Sequence, residues 1–337
     1  MVFEQLGSIF ALKVAKVDNN SLWNDYQMHT RIVNGFSGLE QLKDLHIPRV
    51  FYFVNGNDEE WWMEHEGKFP AEPQENHHNV LCTERILPLP EAIRNMLIDE
   101  FCPDHLKEKA RTEPSNKDCL ARVYLGKRKD KDRIKPLMFF SLRNFNLHLD
   151  QLEEVKVHGL VEIARLMGMA LAVMHWQIGI DAGDVEFVLG SSPTYPTDLR
   201  PLSPSQVSSL SENMSTWKQT INPPNFKRRA THLWMLDFNQ CQNITKDEQG
   251  LKLAVRAFYR NNPYFPRPLS SISIDRELWD TFVEGYMTVA NGVLAGEDDD
   301  CVKALPKMFV EQCIAEQQRR VNMKAEADKR LATGTLR

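Results

Sequence analysis

The chain of 337 residues predicts an α+β fold with two lobes, a small lobe that carries a sheet and a larger, mainly helical lobe. Two observations predict it. Short β-rich runs bounded by turn signals fill the first part of the chain, whereas long stretches with apolar residues every three or four positions dominate the second. We therefore expect a β-rich lobe over residues 1–148 and a helical lobe over residues 149–337. A cleft between two lobes is a usual place for a ligand.

The first half of the chain alternates strands and helices. "SIFALKVAK" and "RVFYFVN" predict strands, and the second run ends in the turn signal Asn55-Gly56-Asn57. "SLWNDYQMHTRIV" has helical spacing and Ser21 in a capping position, whereas the polar segment 58–79 predicts a loop. "LCTERILPLP" predicts a strand that leads into the helix "EAIRNMLIDEF". "LARVYLGKRKDKDRIKPLMFFSLRNFNLHL" predicts a hairpin with a basic tip over residues 127–135.

The second half is expected to be largely helical. Apolar residues at intervals of three and four predict one long helix over about residues 150–175. The Ser/Pro-rich stretch at about residues 191–230 predicts an exposed insertion. "THLWMLDFNQC" predicts a strand that runs into a turn. Three helices are expected after it: "EQGLKLAVRAFYRN", "RELWDTFVEGYMTVANGVL" and a terminal helix over about residues 305–331.

Composition excludes some classes of function. A net charge of −5 argues against sequence-independent binding of nucleic acid over the whole surface, although a local basic patch can still contact phosphates. We expect a cytoplasmic protein, because no apolar run is long enough for a bilayer and the first residues lack the pattern of a signal peptide. The six cysteines are scattered and form no C-x-x-C pair, which speaks against a structural zinc site.

The stretch "HWQIGIDAGDVEFVLG" begins at His175 and concentrates three carboxylates, Asp181, Asp184 and Glu186. Asp237 follows later between two apolar residues, where a buried acid needs a partner. Carboxylates that lie close together repel one another, which raises the pKa of at least one and creates a base near neutral pH. Structural alternatives remain open: turn caps for Asp181 and Asp184, an exposed strand position for Glu186, and a buried ion pair for Asp237.

Two further residues have open alternatives. Lys13 lies in the apolar run "FALKVAK", and it either faces water from an edge strand or pairs with an acid such as Asp25. His175 ends an apolar helix beside Trp176, and it is either a satisfied structural histidine or a proton shuttle.

The order of these pieces resembles the protein-kinase and aminoglycoside-phosphotransferase fold. The resemblance implies a kinase-like arrangement of the two lobes. Two departures bear on activity: no G-x-G-x-x-G precedes Lys13, and Asn239 replaces the glycine of D-F-G. The resemblance places Lys13 as the phosphate-binding lysine, Asp25 as its helix partner, Asp181 as the catalytic-loop aspartate, Glu186 in the position of a metal-binding asparagine and Asp237 as the metal-binding aspartate.

A closer resemblance is carried by six motifs: "RILPLP", "RVYLG", "LRNF", "ALAVMHW", "DVEFVLG" and "LWMLDFNQC". Together they resemble a fungal family of hypothetical or zinc-finger-like proteins that includes the arginine-containing cyclodipeptide synthases, over about residues 10–295. The resemblance implies synthesis of a cyclo-arginine-Xaa diketopiperazine, in secondary-metabolite biosynthesis, from arginyl-tRNA and a second aminoacyl-tRNA. The tRNA esters are already activated, so neither a cofactor nor a metal is expected.

This function needs a base, oxyanion donors, an acid for the leaving hydroxyl and a pocket for a guanidinium, which carboxylates bind well. The acids that would hold Mg²⁺ in a kinase are then expected to hold a substrate cation. Alternatives are a small-molecule phosphotransferase that uses ATP and Mg²⁺, or a non-catalytic kinase-like binding module. Our candidates are Asp181, Glu186, Asp237, Lys13 and His175 for catalysis; Asp184, Asp25 and Asn239 for substrate binding; and Lys127, Arg128, Lys129, Lys227, Arg228 and Arg229 for tRNA binding.

Overall fold

A computed structural model describes residues 1–4, 8–16, 19–69, 77–129, 138–193, 205, 208–209, 229–260 and 263–332. Its elements form a mixed α+β structure. The strands are β1 (Val2–Glu4), β2 (Phe10–Val14), β3 (Leu45–His46), β4 (Val50–Val54), β5 (Val80–Glu84), β6 (Ala121–Tyr124), β7 (Phe145–His148), β8 (Glu186–Pro193) and β9 (Arg229–Leu236). The helices are α1 (Asn19–Phe36), α2 (Glu59–His65), α3 (Glu91–Phe101), α4 (Asp104–Thr112), α5 (Leu149–Glu154), α6 (Leu160–Ala172), α7 (Glu248–Arg260), α8 (Ser273–Val293) and α9 (Asp300–Ala332).

The strands form two sheets. The first is antiparallel, in the order β1-β2-β5-β4, and its strands all precede residue 85. The second has the order β3-β9-β8-β6-β7 and mixes parallel and antiparallel pairs. This second sheet takes strands from both sides of residue 148. The second sheet shares one core cluster, which runs from Met28 to Cys313, with helices that precede it and helices that follow it.

Several predicted elements are confirmed. β2 and β4 lie at the two predicted strands, and α3 has the predicted bounds. α1 buries one stripe of its surface, which includes Leu22, Asp25 and Ile32, and this periodicity explains its helical pattern. The three C-terminal helices are also present, although the last begins at Asp300 instead of near residue 305.

The predicted loop over residues 58–79 is wrong at its start, where α2 forms. The Asp58 side chain accepts a hydrogen bond from the Trp61 backbone at 3.0 Å and caps the helix. Trp62 is buried against the first sheet. The helix has only seven residues, so packing of its tryptophans and not its periodicity stabilises it.

The predicted hairpin between residues 121 and 148 is wrong as well. Its two arms are neighbours, but β6 and β7 run parallel, with Ala121 opposite Phe145. The other edge of β6 pairs antiparallel with β8. A β-rich pattern identifies the strands but does not determine their relative direction, so the pattern could not exclude a crossover. Most of the basic tip, residues 130–137, lies outside the described residues.

The single helix predicted over residues 150–175 is three segments. α5 ends at Glu154 and α6 begins at Leu160, because Lys156 and Gly159 adopt left-handed conformations with φ of 52° and 76°. The last segment, Val173–Ile178, is a π-helix. Apolar spacing continues across both changes, which is why it predicted one helix.

α6 and α8 are in close contact at two glycines. A Cβ atom at Gly168 would lie 2.1 Å from the Phe282 carbonyl oxygen, and one at Gly285 would lie 2.7 Å from the Arg165 carbonyl oxygen. Of the predicted insertion at 191–230, the ends belong to β8 and β9, and most of the rest lies outside the described residues. Among the helices that the structure describes, none has the length and apolar character needed to cross a bilayer.

Candidate functional site

A cavity of about 370 Å³ lies between the two sheets. Strands β1, β2 and β5 line it on one side, and the ends of β6, β8 and β9 line it on the other. Its volume is within the range of pockets that bind small molecules, roughly 300–1,000 Å³.

Five of the six motifs that carry the family resemblance meet in this cavity, although about 150 residues separate the first from the last. Only "ALAVMHW" does not reach the lining, and it lies in the core. The motif residues in the cavity wall are Arg85, Ile86 and Pro88 from "RILPLP", Arg122 from "RVYLG", Arg143 and Asn144 from "LRNF", Glu186 from "DVEFVLG", and Leu236 and Asp237 from "LWMLDFNQC".

Lys13 lies at the centre of an ion-pair network in the cavity. Its Nζ donates to Asp25 Oδ2 at 2.7 Å and to Asp237 Oδ1 at 2.8 Å. Asp25 is buried, whereas about a third of the Lys13 and Asp237 side chains is exposed. Burial lowers the pKa of Lys13, but the two carboxylates outweigh burial and raise it above its ordinary value. Lys13 is therefore a permanent cation and not a base.

The backbone of Asp237 is held in a special conformation. Its φ of 65° lies in the left-handed region, which is uncommon outside glycine. The neighbouring Phe238 is fully buried, and its ring contacts His29 edge-on at 4.8 Å. The Phe238 N–H donates to Asp25 Oδ1 at 3.2 Å. These contacts fix the turn after β9 and direct the Asp237 carboxylate to Lys13.

Glu186 lines the cavity and has a pKa near neutrality. It starts β8 opposite Leu236, so it lies beside Asp237. Its Oε1 lies 2.7 Å from Arg122 Nη2, so the two side chains form an ion pair. Burial raises the pKa of Glu186 to about 7; Arg122 opposes this shift, and Asp237 and Asp184 add to it. Near neutral pH the carboxyl group can therefore either donate or accept a proton.

Asp181 and His175 do not line the cavity. Asp181 Oδ1 accepts hydrogen bonds from the backbones of Gly183 and Gln242, both at 2.9 Å, which makes it a turn cap. His175 is buried, and its Nδ1 lies 3.0 Å from the Tyr286 hydroxyl. Burial lowers the pKa of His175 to about 3, so the ring is neutral. Asp181 therefore has the structural role of a turn cap, and His175 that of a buried structural histidine.

Asp184 and Asn239 also lie outside the cavity lining. Asp184 accepts a hydrogen bond from the Gln240 side chain, and burial raises its pKa, with a further contribution from Asp237. The Asn239 side chain donates to Ser21 Oγ at 3.4 Å. Both contacts hold the turn that follows Asp237, one through Asn239 and the other through Gln240.

The predicted tRNA-binding residues differ in their surroundings. Lys127 and Lys129 have exposed side chains. The Arg128 guanidinium is paired with Glu153 at 2.7 Å and with Asp275 at 2.5 Å, so it joins this segment to α5 and α8. Lys227 and Arg228 lie outside the described residues, and only the backbone of Arg229, in β9, is described.

Three arginines in the cavity wall were absent from the predicted site: Arg85, Arg122 and Arg143. Each belongs to one of the six motifs. That membership was the available signal, but a charged residue in or beside a strand usually faces solvent, and local pattern does not reveal that the three meet.

Comparison with known proteins gives one family match. A family model described as DUF3669, zinc finger protein, matches residues 233–298, from β9 through α8. The comparisons with curated proteins and with solved structures found no match. The matched segment contains one cysteine, Cys241, and no histidine, so it lacks the four ligands of a structural zinc site. Among the described residues, no group of three or more potential ligands is placed to hold a metal ion.

Proposed function

We propose that the chain is a tRNA-dependent cyclodipeptide synthase that joins arginine to a second amino acid, and that the cavity between its sheets is the active site of a kinase-like, two-lobe scaffold. One observation carries the proposal: five separated motifs of the resembled family converge on one cavity that contains a carboxyl group with a pKa of about 7.

The reaction is two successive aminolyses of esters. In the first, the α-amine of one aminoacyl group attacks the ester carbonyl carbon of the other; the amide C–N bond forms and the bond to the ribose oxygen breaks. In the second, the remaining free amine attacks the remaining ester, closes the six-membered ring and releases the second ribose hydroxyl. Each step removes one proton from an amine and delivers one to a ribose oxygen, so no oxidant or nucleotide is consumed.

Glu186 has the properties for this proton transfer. A group whose pKa lies near the working pH can accept the amine proton and then donate it to the leaving oxygen. Arg122 contacts Glu186 at 2.7 Å, and its buried Nε has no hydrogen-bond partner among the described residues. That guanidinium can donate to the oxyanion of the tetrahedral intermediate.

Substrate binding needs negative charge in the same cavity. Asp237 is about a third exposed and lies beside Glu186. Asp237 binds Lys13 through Oδ1, so it can still offer Oδ2 to the ammonium or guanidinium group of the substrate. Under this proposal, Asp25 and Lys13 position Asp237, and Asp181 and His175 support the backbone beneath the site.

The test is product formation in a purified system. The protein is incubated with tRNA, arginyl-tRNA synthetase, labelled arginine, a mixture of the other aminoacyl-tRNAs and ATP. We expect a labelled cyclo-arginine-Xaa product that disappears when the tRNA is digested with ribonuclease first. Charged arginyl-tRNA that persists with no labelled diketopiperazine would overturn the proposal.

A second function is favoured by the network of Lys13 with Asp25 and Asp237, which corresponds to the phosphate-binding lysine and its partners in the kinase resemblance. This alternative is a small-molecule phosphotransferase. It predicts a raised melting temperature with Mg²⁺ and ATP and transfer of the γ-phosphate to an acceptor. Absence of both effects and of the diketopiperazine would favour a non-catalytic binding module.

A further inference from the structure

We infer that Arg143 forms a subsite for a nucleotide phosphate in the wall of the cavity, which Arg85 also lines. The inference rests on the proposed function, under which this phosphate is the one attached to the terminal adenosine of the aminoacyl-tRNA. The ester and the phosphate are then on the same ribose and enter the cavity together.

The charges of the cavity wall single out Arg143. Lys13 is held by two carboxylates, and Arg122 is paired with Glu186. Arg85 contacts Glu4 and lies 3.9 Å from Asp118. Arg143 is exposed, and no carboxylate of the described residues lies within 4.0 Å of its guanidinium. Among the four cations of the wall, Arg143 is therefore the one without a carboxylate partner in the described part of the chain.

The carboxylates nearest to this side of the cavity do not cancel the charge. Glu84 is paired with Arg49 at 3.1 Å. Glu4 is paired with Arg85, and more than half of the Asp118 side chain is exposed to water. Exposed charges interact weakly because water screens them, so Asp118 reduces the attraction for an anion only slightly.

The backbone that carries Arg143 is fixed on both sides. The Arg143 N–H donates to Ser141 Oγ at 3.1 Å, and the N–H of the buried Leu142 donates to Asn116 Oδ1 at 2.6 Å. Asn144 has a left-handed φ of 52°, a conformation that asparagine tolerates better than most residues. The backbone that carries the guanidinium is thus already ordered, which reduces the entropy lost when the side chain binds an anion.

A phosphate matches this guanidinium in shape and charge. The planar fork of arginine binds two oxygens of a phosphate group at once, which a point charge such as a lysine cannot do. Arg85 and Arg143 lie on either side of the start of β6, since Arg85 approaches Asp118 and Arg143 lies two residues before Phe145, which is opposite Ala121. Glu186 lines the same cavity, so the ribose of a nucleotide whose phosphate binds here has room in the cavity that contains the acid–base group.

The experiment measures the affinity of the full chain for a non-hydrolysable analogue, 3′-deoxy-3′-(arginylamino)adenosine, with and without a 5′-phosphate. The wild-type protein is expected to bind the phosphorylated analogue about tenfold more tightly, because hydrogen bonds to charged groups contribute roughly 1.5 kcal/mol or more. Arg143→Gln is expected to abolish that preference, whereas Arg256→Gln, an exposed arginine of α7, is expected to keep it. Thermal melts establish that both variants fold.

Equal affinity of the wild-type protein for the two analogues, or an unchanged preference in the folded Arg143→Gln variant, would overturn the inference. If the diketopiperazine still forms, the proposed function survives that failure. The source of the phosphate is tested by competition with ATP and Mg²⁺. If ATP displaces the phosphorylated analogue through Arg143 and no diketopiperazine forms, the phosphate subsite stands, its natural ligand is a free nucleotide, and the proposed function fails.

Discussion

Glu186 and Asp181 lie five residues apart in one acidic stretch, but their surroundings differ. Glu186 lines the cavity, is paired with Arg122, and has a pKa that burial raises to about 7. Asp181 lies outside the wall and caps a turn by accepting two backbone N–H groups. A carboxylate that satisfies backbone donors stabilises a turn, whereas one that faces a cavity can exchange a proton with a substrate. Substitutions at these residues and at their neighbours test this distinction.

The largest change in stability is expected from Lys13→Met. The substitution removes the cation between Asp25, which is buried, and Asp237. Removal of one partner from a buried ion pair costs about 3–5 kcal/mol in the free energy of unfolding, because the remaining charge is uncompensated. Urea unfolding measures the loss. Asp25→Asn in the Lys13→Met background is the matched control and is expected to restore part of the stability; no restoration would show that the cost has another origin.

The next effect is the pH dependence of stability that Glu186 confers. Its folded pKa of about 7 lies above the ordinary value of 4.5, so the folded state binds the proton more tightly than the unfolded state. This stabilising contribution is complete below pH 4.5 and is lost as the pH rises through about 7. The free energy of unfolding of the wild type, minus that of Glu186→Gln, is expected to fall by on the order of 3 kcal/mol across this range. A difference independent of pH would contradict the raised pKa.

Asp181→Ala is expected to cost about 2 kcal/mol in the free energy of unfolding, because the buried N–H group of Gly183 and the N–H group of Gln242 lose their acceptor. Asp181→Asn retains an acceptor oxygen and is expected to be close to the wild type. Chemical denaturation measures both variants. If the asparagine variant is as unstable as the alanine variant, the charge and not the hydrogen bonding of Asp181 supports the turn.

The smallest effect concerns the basic segment before residue 130. Lys127 and Lys129 are exposed, so replacing both by glutamine is expected to weaken tRNA binding. The slope of the salt dependence is expected to fall by about one for each phosphate that the protein no longer neutralises. Arg128→Gln is the contrasting variant, because Asp275 and Glu153 already hold this guanidinium. An unchanged salt dependence in the double lysine variant would show that Lys127 and Lys129 do not contact tRNA phosphates.

Local patterns in the sequence predicted many elements of the fold. Strands β2 and β4 and helices α1 and α3 follow from periodicity and turn signals, which act within a few residues. The parallel pairing of β6 with β7 and the break before α6 could not be predicted in this way. The first depends on a long-range crossover, and the second on two left-handed residues that interrupt a continuous apolar pattern.

The site was predictable only in part, for the same reason. The resemblance to kinases paired Lys13 with Asp25 and made Asp237 a metal-binding aspartate. The structure contains the Lys13–Asp25 pair and adds a direct ion pair between Lys13 and Asp237. The acidic stretch gave no means to separate Glu186 from Asp181, because burial and backbone donors decide their roles. The signal for Arg143 was its place in the motif "LRNF", which does not reveal a role; it is a candidate because the fold places it in the cavity wall.

The most direct test of the central claim compares Glu186→Gln with Asp181→Asn in one assay. Both proteins receive preformed arginyl-tRNA and a second aminoacyl-tRNA, and the rate of diketopiperazine formation is measured per folded molecule. We expect Glu186→Gln to lose at least about 100-fold, the contribution of a positioned acid–base group, and Asp181→Asn to keep most of the rate. A folded Glu186→Gln protein that retains the wild-type rate, while Asp181→Asn loses it, would contradict the account.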